Sequence, residues 1–366
     1  MIAPRTSGSA PTSTHPPAIL IVTDAWRPQV NGVVRTLETV AGALLRMGHD
    51  VRVIGPDAFR TIPCPTYPEI RLAVLPGRRL ARMIEAAQPC AIHIATEGPL
   101  GLAARNYCLR RKLPFTTAYH TRFPEYVAAR FRVPTAITYR LMRSFHRPAS
   151  GTMVATRSIA SELEGRGFTN IRAWSRGVDV ELFRPDRLAH DPYEGLPRPI
   201  WVNVGRVAVE KNIEAFLALD LPGTKVVVGD GPVRERLMRA YPDARFVGAR
   251  HGEDLAAHFR AADVFVFPSR TDTFGLVLLE ALASGVPVAA FPVPGPLDVL
   301  APEVGVMDDD LGKAARAALA LSPDACRAHA LRFSWDACAL QFVENLQPMP
   351  APLTPLVPPS DGRPAA

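Results

Sequence analysis

The chain has 366 residues, 48% of them hydrophobic, a formal net charge of +7 and five cysteines. That length and apolar content can bury the cores of two ordinary domains and exclude a single small module. The basic residues are scattered, without a run interleaved with aromatics, which argues against nucleic acid as a partner. Cys64, Cys90, Cys108, Cys326 and Cys338 show neither Cys-x-x-Cys pairs nor Cys/His metal spacing.

Residues 1–17 are rich in Ser, Thr and Pro, with Arg5 as the only charged side chain and no apolar signal-peptide core. They are expected to form a disordered tail. No apolar segment approaches the roughly 20 residues that span a bilayer. The expectation is a cytoplasmic protein, with any membrane contact peripheral. Residues 18–23 (AILIVT) then have the length and branched content of a buried parallel strand. Val33, Val34, Leu37, Val40, Leu44 and Leu45 recur at helical spacing up to a capping Gly48, and 51–54 reads as the next strand. Short strands are expected at 91–95, 114–119 and 152–155. After a Pro-rich linker at 186–198 the alternation restarts, with strands at 200–204, 225–228, 245–247, 263–267 and 286–290. Helices fall between them at 212–219, 233–240, 253–262 and 274–283. Strands alternating with helices twice over give an α/β protein of two doubly wound parallel sheets. Their ligand crevices lie beyond the carboxyl ends of the strands.

Phosphate binds such sheets where a glycine-bearing loop leaves a strand and enters a helix, because free amides and the helix dipole meet there. The first half has this loop at Asn31-Gly32. The second has it at Gly205-Arg206, with Lys211-Asn212 at the next helix start, so that Arg206 and Lys211 bracket a diphosphate as a planar fork and a point charge. Only four lysines occur in the chain, which makes Lys211 informative. Asp272 is expected at the start of the 274–283 helix, with Glu280 about 12 Å further along at 1.5 Å per residue. That spacing suits a pyranose at one end and a ribose at the other. Alternatively, Asp272 is only an N-cap and Glu280 a solvated helix residue. His120 follows a strand at its carboxyl end, where functional side chains gather. Arg130, Arg132, Arg140, Arg143 and Arg147, interspersed with apolar residues over 130–147, form either an amphipathic segment for anionic membrane or an ordinary solvated face.

Several motifs stand in fixed order: Asn31-Gly32, Gly48-His49-Asp50-Val51, His120, Gly177-Val178-Asp179 with Phe183 and Pro185, Gly205-Arg206 with Lys211-Asn212, Gly229-Asp230-Gly231-Pro232, and Asp272 through Gly285. Together they resemble the retaining glycosyltransferases of sequence family 4 over residues 18–346. The resemblance implies the GT-B architecture of two facing Rossmann-like domains, at 18–185 and 199–333. A terminal helix at 334–346 would cross back to the first domain, followed by a disordered Pro-rich tail at 347–366. It also implies that Arg206 and Lys211 hold the donor diphosphate, with Gly205 beside them, and stabilise the departing nucleotide. Glu280 would bind the ribose, and the backbone at Thr273, Phe274, Gly275 and Leu276 would approach sugar and phosphate. His120 would lie near the transferred sugar, and the Asn31-Gly32 loop would close over the phosphates. The family's acidic pair is usually Glu-x7-Glu; here Asp272 is the first member, in an Asp-Thr-Phe-Gly run similar to mannosyltransferase-like members.

Fixed cations in place of a metal-binding Asp-x-Asp imply a transferase that needs neither metal nor cofactor, only a nucleotide diphosphate sugar. The expected partners are that donor and a lipid or glycan acceptor. The resemblance puts GDP-mannose ahead of UDP-sugars. A UDP-sugar-dependent glycolipid synthase, a nucleotide-sugar epimerase of the same fold and a non-catalytic nucleotide-sugar-binding subunit are the alternatives.

Overall fold

A computed structural model of the chain describes residues 18–29, 31–64, 67–125, 128, 133–186, 190–350 and 352–353. Its short branched runs form strands covered on both faces: β1 (Ile19–Val22) and β9 (Ile200–Val204) are buried at every position. The first sheet adds β2 (Val51–Ile54), β5 (Ala91–Ile94), β6 (Thr116–Tyr119), β7 (Gly151–Val154) and β8 (Ile171–Ala173), in the order β2-β1-β5-β6-β7-β8. The second adds β10 (Thr224–Val228), β11 (Arg245–Gly248), β12 (Val264–Phe267), β13 (Val288–Ala290) and β14 (Gly305–Met307), in the order β11-β10-β9-β12-β13-β14. Every pairing in both sheets is parallel. The strand order therefore reverses between β1 and β5 in one half and between β9 and β12 in the other. Crevices are expected at these switch points.

An antiparallel hairpin of β3 (Thr61–Cys64) and β4 (Tyr67–Ala73) and the helices Gly77–Ala87, Pro99–Arg111 and Arg157–Gly165 also belong to the first half; none has a counterpart among the sequence expectations. The helix Gly32–Arg46 begins and ends where its apolar period predicts, with Asn31 as N-cap and Gly48 at φ 87°. Two expectations in the second half are corrected. The helix placed at 212–219 is a short 3-10 turn, Val209–Lys211, followed by Ile213–Leu217, because Asn212 adopts a left-handed backbone with φ 53°. The helix placed at 274–283 starts at Leu276, because Gly275 takes φ 83° as its N-cap. Asp272 is thus a loop residue four positions before the helix, and neither its capping role nor the spacing along one helix axis holds.

The helix Trp335–Asn345 packs against the first half, sharing a core with Ile19, Ile21, Leu37 and Trp174. Trp174 Nε1 donates to the Cys338 carbonyl (3.2 Å) and the Ser175 amide to Gln341 Oε1 (2.9 Å). The tail expected from 347 is anchored at its start. Met349 N donates to the Cys90 carbonyl (2.7 Å), and Leu353, only 6% exposed, exchanges two hydrogen bonds of 2.9 Å with the Gln88 side chain. Apolar side chains at these positions find a groove on the first domain, and burial offsets the ordering of a proline-rich strand of chain. The tail placed at 1–17 and residues 354–366 lie outside the described residues.

Candidate functional site

At the switch point of the second sheet, β9 ends in Gly205-Arg206 and β12 in the loop from Pro268. Thr271 Oγ1 donates to the Glu210 carbonyl (3.2 Å) and Asn212 Nδ2 to the Pro268 carbonyl (3.0 Å), which ties the two loops together. The neighbouring turn after β10 fits only because Gly229, at φ 147°, has no side chain; a Cβ there would strike the Gly205 carbonyl. These contacts set Lys211 opposite Asp272, with Nζ 2.5 Å from Oδ1 and both side chains mostly covered. Asp272 Oδ2 is buried without a hydrogen-bond partner. The shorter acid at this position thus reaches the lysine, and one oxygen remains for a ligand.

Glu280 is brought to the interface between the halves by the helix Leu276–Ala283. Its Oε1 lies 2.5 Å from Arg35 Nη1, while Oε2 is buried without a partner. Burial raises the Glu280 pKa above the usual carboxylate range, and Arg35 partly offsets this. A solvated helix residue is excluded. Gly32 stands beside Leu276, and Arg35 beside Glu280, about one turn on in each helix. The positively polarised N-termini of the two helices therefore lie close together across the cleft. A cavity of about 610 Å³ adjoins the pair, lined by Arg35, Thr39, Asp179, Glu280, Phe333 and Trp335 among others.

The Asn31 side chain is engaged in its own helix: Oδ1 accepts from the amides of Val33 and Val34, each at 3.0 Å. Thr273 Oγ1 donates to the His120 carbonyl (2.7 Å), so this hydroxyl clasps the two halves rather than facing the crevice. Phe274 is 6% exposed within the core of the second half, which leaves its backbone as the part that a ligand can meet. His120 sits beyond β6 with Nδ1 3.3 Å from Arg176 Nη2; its Nε2 is closed off from solvent and has no partner. Burial, reinforced by Arg176, holds the ring well below the usual imidazole pKa.

The switch point of the first sheet is filled from within. Asp24, just after β1, accepts from the amides of Leu100 (2.8 Å) and Gly101 (3.1 Å) and from Thr96 Oγ1 (2.9 Å). Burial pushes its pKa up, opposed by these hydrogen bonds. A carboxylate already occupies the anion position at the N-terminus of helix Pro99–Arg111. The N-terminus of this helix is thus satisfied within the chain.

Sequence reasoning missed Arg35 and Arg176. Arg35 lies one turn past Gly32, on the face that the Asn31-Gly32 loop would present, and that spacing could have revealed it. Arg176 had only its neighbours in Gly177-Val178-Asp179 as a signal. Gly295, at φ 95°, was also passed over; its Cβ position is 3.3 Å from the Asp272 carbonyl. Of the 130–147 segment, residues 130–132 lie outside the described residues. The helix Thr135–His146 buries Tyr139, Met142, Phe145 and His146, and exposes Ile137 (54%) and Leu141 (61%) beside Arg140 and Arg147. Among the described residues, no helix is long and apolar enough to cross a membrane, and no three His, Cys, Asp or Glu side chains gather as a metal cage.

Two facing doubly wound halves, with cation and acid paired at one switch point, define a sugar transferase of GT-B architecture. Residues 30–182 match the family model "Glycosyltransferase Family 4" and residues 198–324 the model "Glycosyl transferases group 1". The chain is 32% identical over 308 residues to the GDP-mannose-dependent alpha-mannosyltransferase of Mycobacterium tuberculosis, covering 78% of this chain and 81% of that one. It is also 32% identical over 269 residues to the sulfoquinovosyl transferase SQD2 of Arabidopsis thaliana, covering 69% of this chain and 52% of that one. Among solved structures, sucrose-phosphate synthase from Thermosynechococcus elongatus shares the fold with a TM-score of 0.71 at 21% identity, over 90% of this chain and 98% of that one. The chain belongs to the family 4 glycosyltransferases, and it is a hexosyltransferase that uses a nucleotide-sugar donor.

Proposed function

We propose that this enzyme transfers mannose from GDP-mannose to a lipid or glycan acceptor, with retention at the anomeric carbon and without a metal ion. The observation that carries the reading is the set of buried, unpartnered polar atoms on His120, Asp272 and Glu280, three of the residues singled out for the donor. Each such atom left unpaired costs on the order of 1–3 kcal/mol, a cost that a polar ligand removes. The names of the mannosyltransferase relatives favour mannose and GDP.

In this reading the donor diphosphate lies against Arg206, Lys211 and the converging helix N-termini, where fixed positive charge meets the charge that develops as the nucleotide leaves. Those fixed cations take the part that a bound metal plays in other transferases. Asp272 and His120 receive the sugar, and Glu280 the ribose. The bond from the anomeric carbon to the phosphate oxygen breaks while the acceptor oxygen bonds on the same face. The acceptor proton passes to the oxygen that leaves, so no carboxylate nucleophile is needed. Ile137 and Leu141, exposed among arginines, support an acceptor at an anionic membrane surface.

The test is transfer by the purified protein from labelled GDP-mannose, UDP-glucose, UDP-galactose and UDP-N-acetylglucosamine into a membrane extract, with and without EDTA. The expected result is EDTA-resistant transfer from GDP-mannose into an extractable product with an α-linkage. Transfer from a UDP-sugar instead would move the reading to a glycolipid synthase. Loss of activity with EDTA, or a glycosyl adduct trapped on Asp272, would overturn the mechanism.

A further inference from the structure

Arg176 is 4% exposed, and among the described residues no carboxylate lies within ion-pair distance of it. Its Nη1 donates to the carbonyls of Trp174 (2.6 Å) and Ser175 (2.8 Å), and its guanidinium lies over the Trp174 ring, 4.3 Å from the centroid. Burial lowers even its pKa, to about 10. A buried cation held by carbonyls and an aromatic face is expensive, and here Nη2 is aimed at one acceptor, Nδ1 of His120.

The chemistry of that contact is one-sided. A guanidinium offers only donors, so the nitrogen it meets must present a lone pair. A neutral imidazole with its lone pair on Nδ1 carries its hydrogen on Nε2. We propose that Arg176 is a positioning residue that locks His120 as the neutral Nε2–H tautomer, so that the ring offers the transferred sugar a hydrogen-bond donor and acts neither as base nor as cation. This rests on the reading that His120 borders that sugar.

The surroundings agree. Trp174 stands edge-on to the ring at 5.5 Å, and Thr273 holds the His120 backbone from the opposite half. The titratable groups around the ring are Arg176, His93 and His146, all of which disfavour a second positive charge. The Cys338 thiol, from the terminal helix, also touches Arg176. Glu97 is engaged by His146 Nε2 at 3.1 Å. Protonation of Nδ1 would press two N–H donors together inside this pocket.

The experiment is long-range proton–nitrogen NMR of histidine-labelled protein, with His120 assigned from the missing signals of His120→Gln. Wild type should show Nε2 protonated, Nδ1 bare and no titration over the range in which free histidine titrates, about pH 5 to 8. Arg176→Met should release the ring, giving mixed tautomers or a titrating signal. Its kcat should fall about tenfold, with an acid limb appearing in the pH profile, and Arg176→Lys should restore part of both. A wild-type His120 that carries its hydrogen on Nδ1, or titrates in that range, overturns the proposal even if no variant folds. An unchanged tautomer in Arg176→Met overturns it as well, and a shifted tautomer with unchanged kcat overturns the donor role. The tautomer is read without turnover, so failure of the transferase reading would show separately, as wild type that transfers no sugar.

Discussion

Arg35→Ala removes the partner of a carboxylate that is almost wholly enclosed. The Glu280 side chain is 4% exposed and that of Arg35 42%. Deleting one member of a fully buried pair costs about 3–5 kcal/mol. Because Arg35 is half open, water can enter in its place, and the expected cost falls to about 1–2 kcal/mol. At about 2–4 °C per kcal/mol for a domain of this size, the melting temperature should drop by about 2–8 °C near neutral pH. The sign of the pH dependence follows from Glu280, whose folded pKa is already raised by burial and rises further without Arg35. A raised carboxyl pKa penalises folding once pH exceeds the unfolded value, and the penalty disappears as pH falls and the group takes up its proton. The loss should therefore be smaller near pH 5 than near pH 8, measured by calorimetry at both. In Glu280→Gln, with no buried charge left, Arg35→Ala should cost little at either pH. A loss equal at both pH values, and additive with Glu280→Gln, would refute the argument.

Lys211→Ala and Glu280→Ala should each lower kcat/KM for the donor by the equivalent of about 2–4 kcal/mol while circular dichroism stays unchanged; wild-type turnover in both would dismantle the donor site. A chain ending at Leu346 loses the buried Leu353 and its bonds to Gln88, and should unfold about 2 kcal/mol more easily; a denaturant midpoint equal to that of the full chain would show that the tail contributes nothing. Ile137→Glu with Leu141→Glu should abolish flotation with anionic vesicles and leave transfer to a water-soluble acceptor intact. Equal flotation of both proteins would assign the membrane contact elsewhere.

The two-sheet plan was readable because it depends on short-range signals. Branched runs such as 200–204 are buried on both faces and have no alternation to misread, and the Gly32–Arg46 helix carries a clean apolar period. The hairpin β3–β4 and the helix Pro99–Arg111 escaped because their patterns are set by what packs on them: Pro99–Arg111 mixes apolar and basic residues with little one-sidedness, and its start is fixed by Asp24 from the loop after β1. In the same way, the candidate site was legible as residue types in order, Gly205 to Lys211 and Asp272 to Glu280. Its cross-links were not. No local pattern tells that Asp272 meets a lysine 61 positions earlier, that Glu280 meets Arg35 from the other half, or that His120 is held by Arg176. Gly275 shows the limit within a motif, since a left-handed glycine delayed the helix that the apolar run seemed to begin.

The carboxylate of Asp24 has a meaning beyond its own hydrogen bonds. Two halves built on the same plan would offer two sockets of equal chemistry, and a nucleotide sugar could then settle facing either way. With the helix N-terminus of the first half already satisfied by Asp24, the two halves are chemically unequal before any substrate arrives.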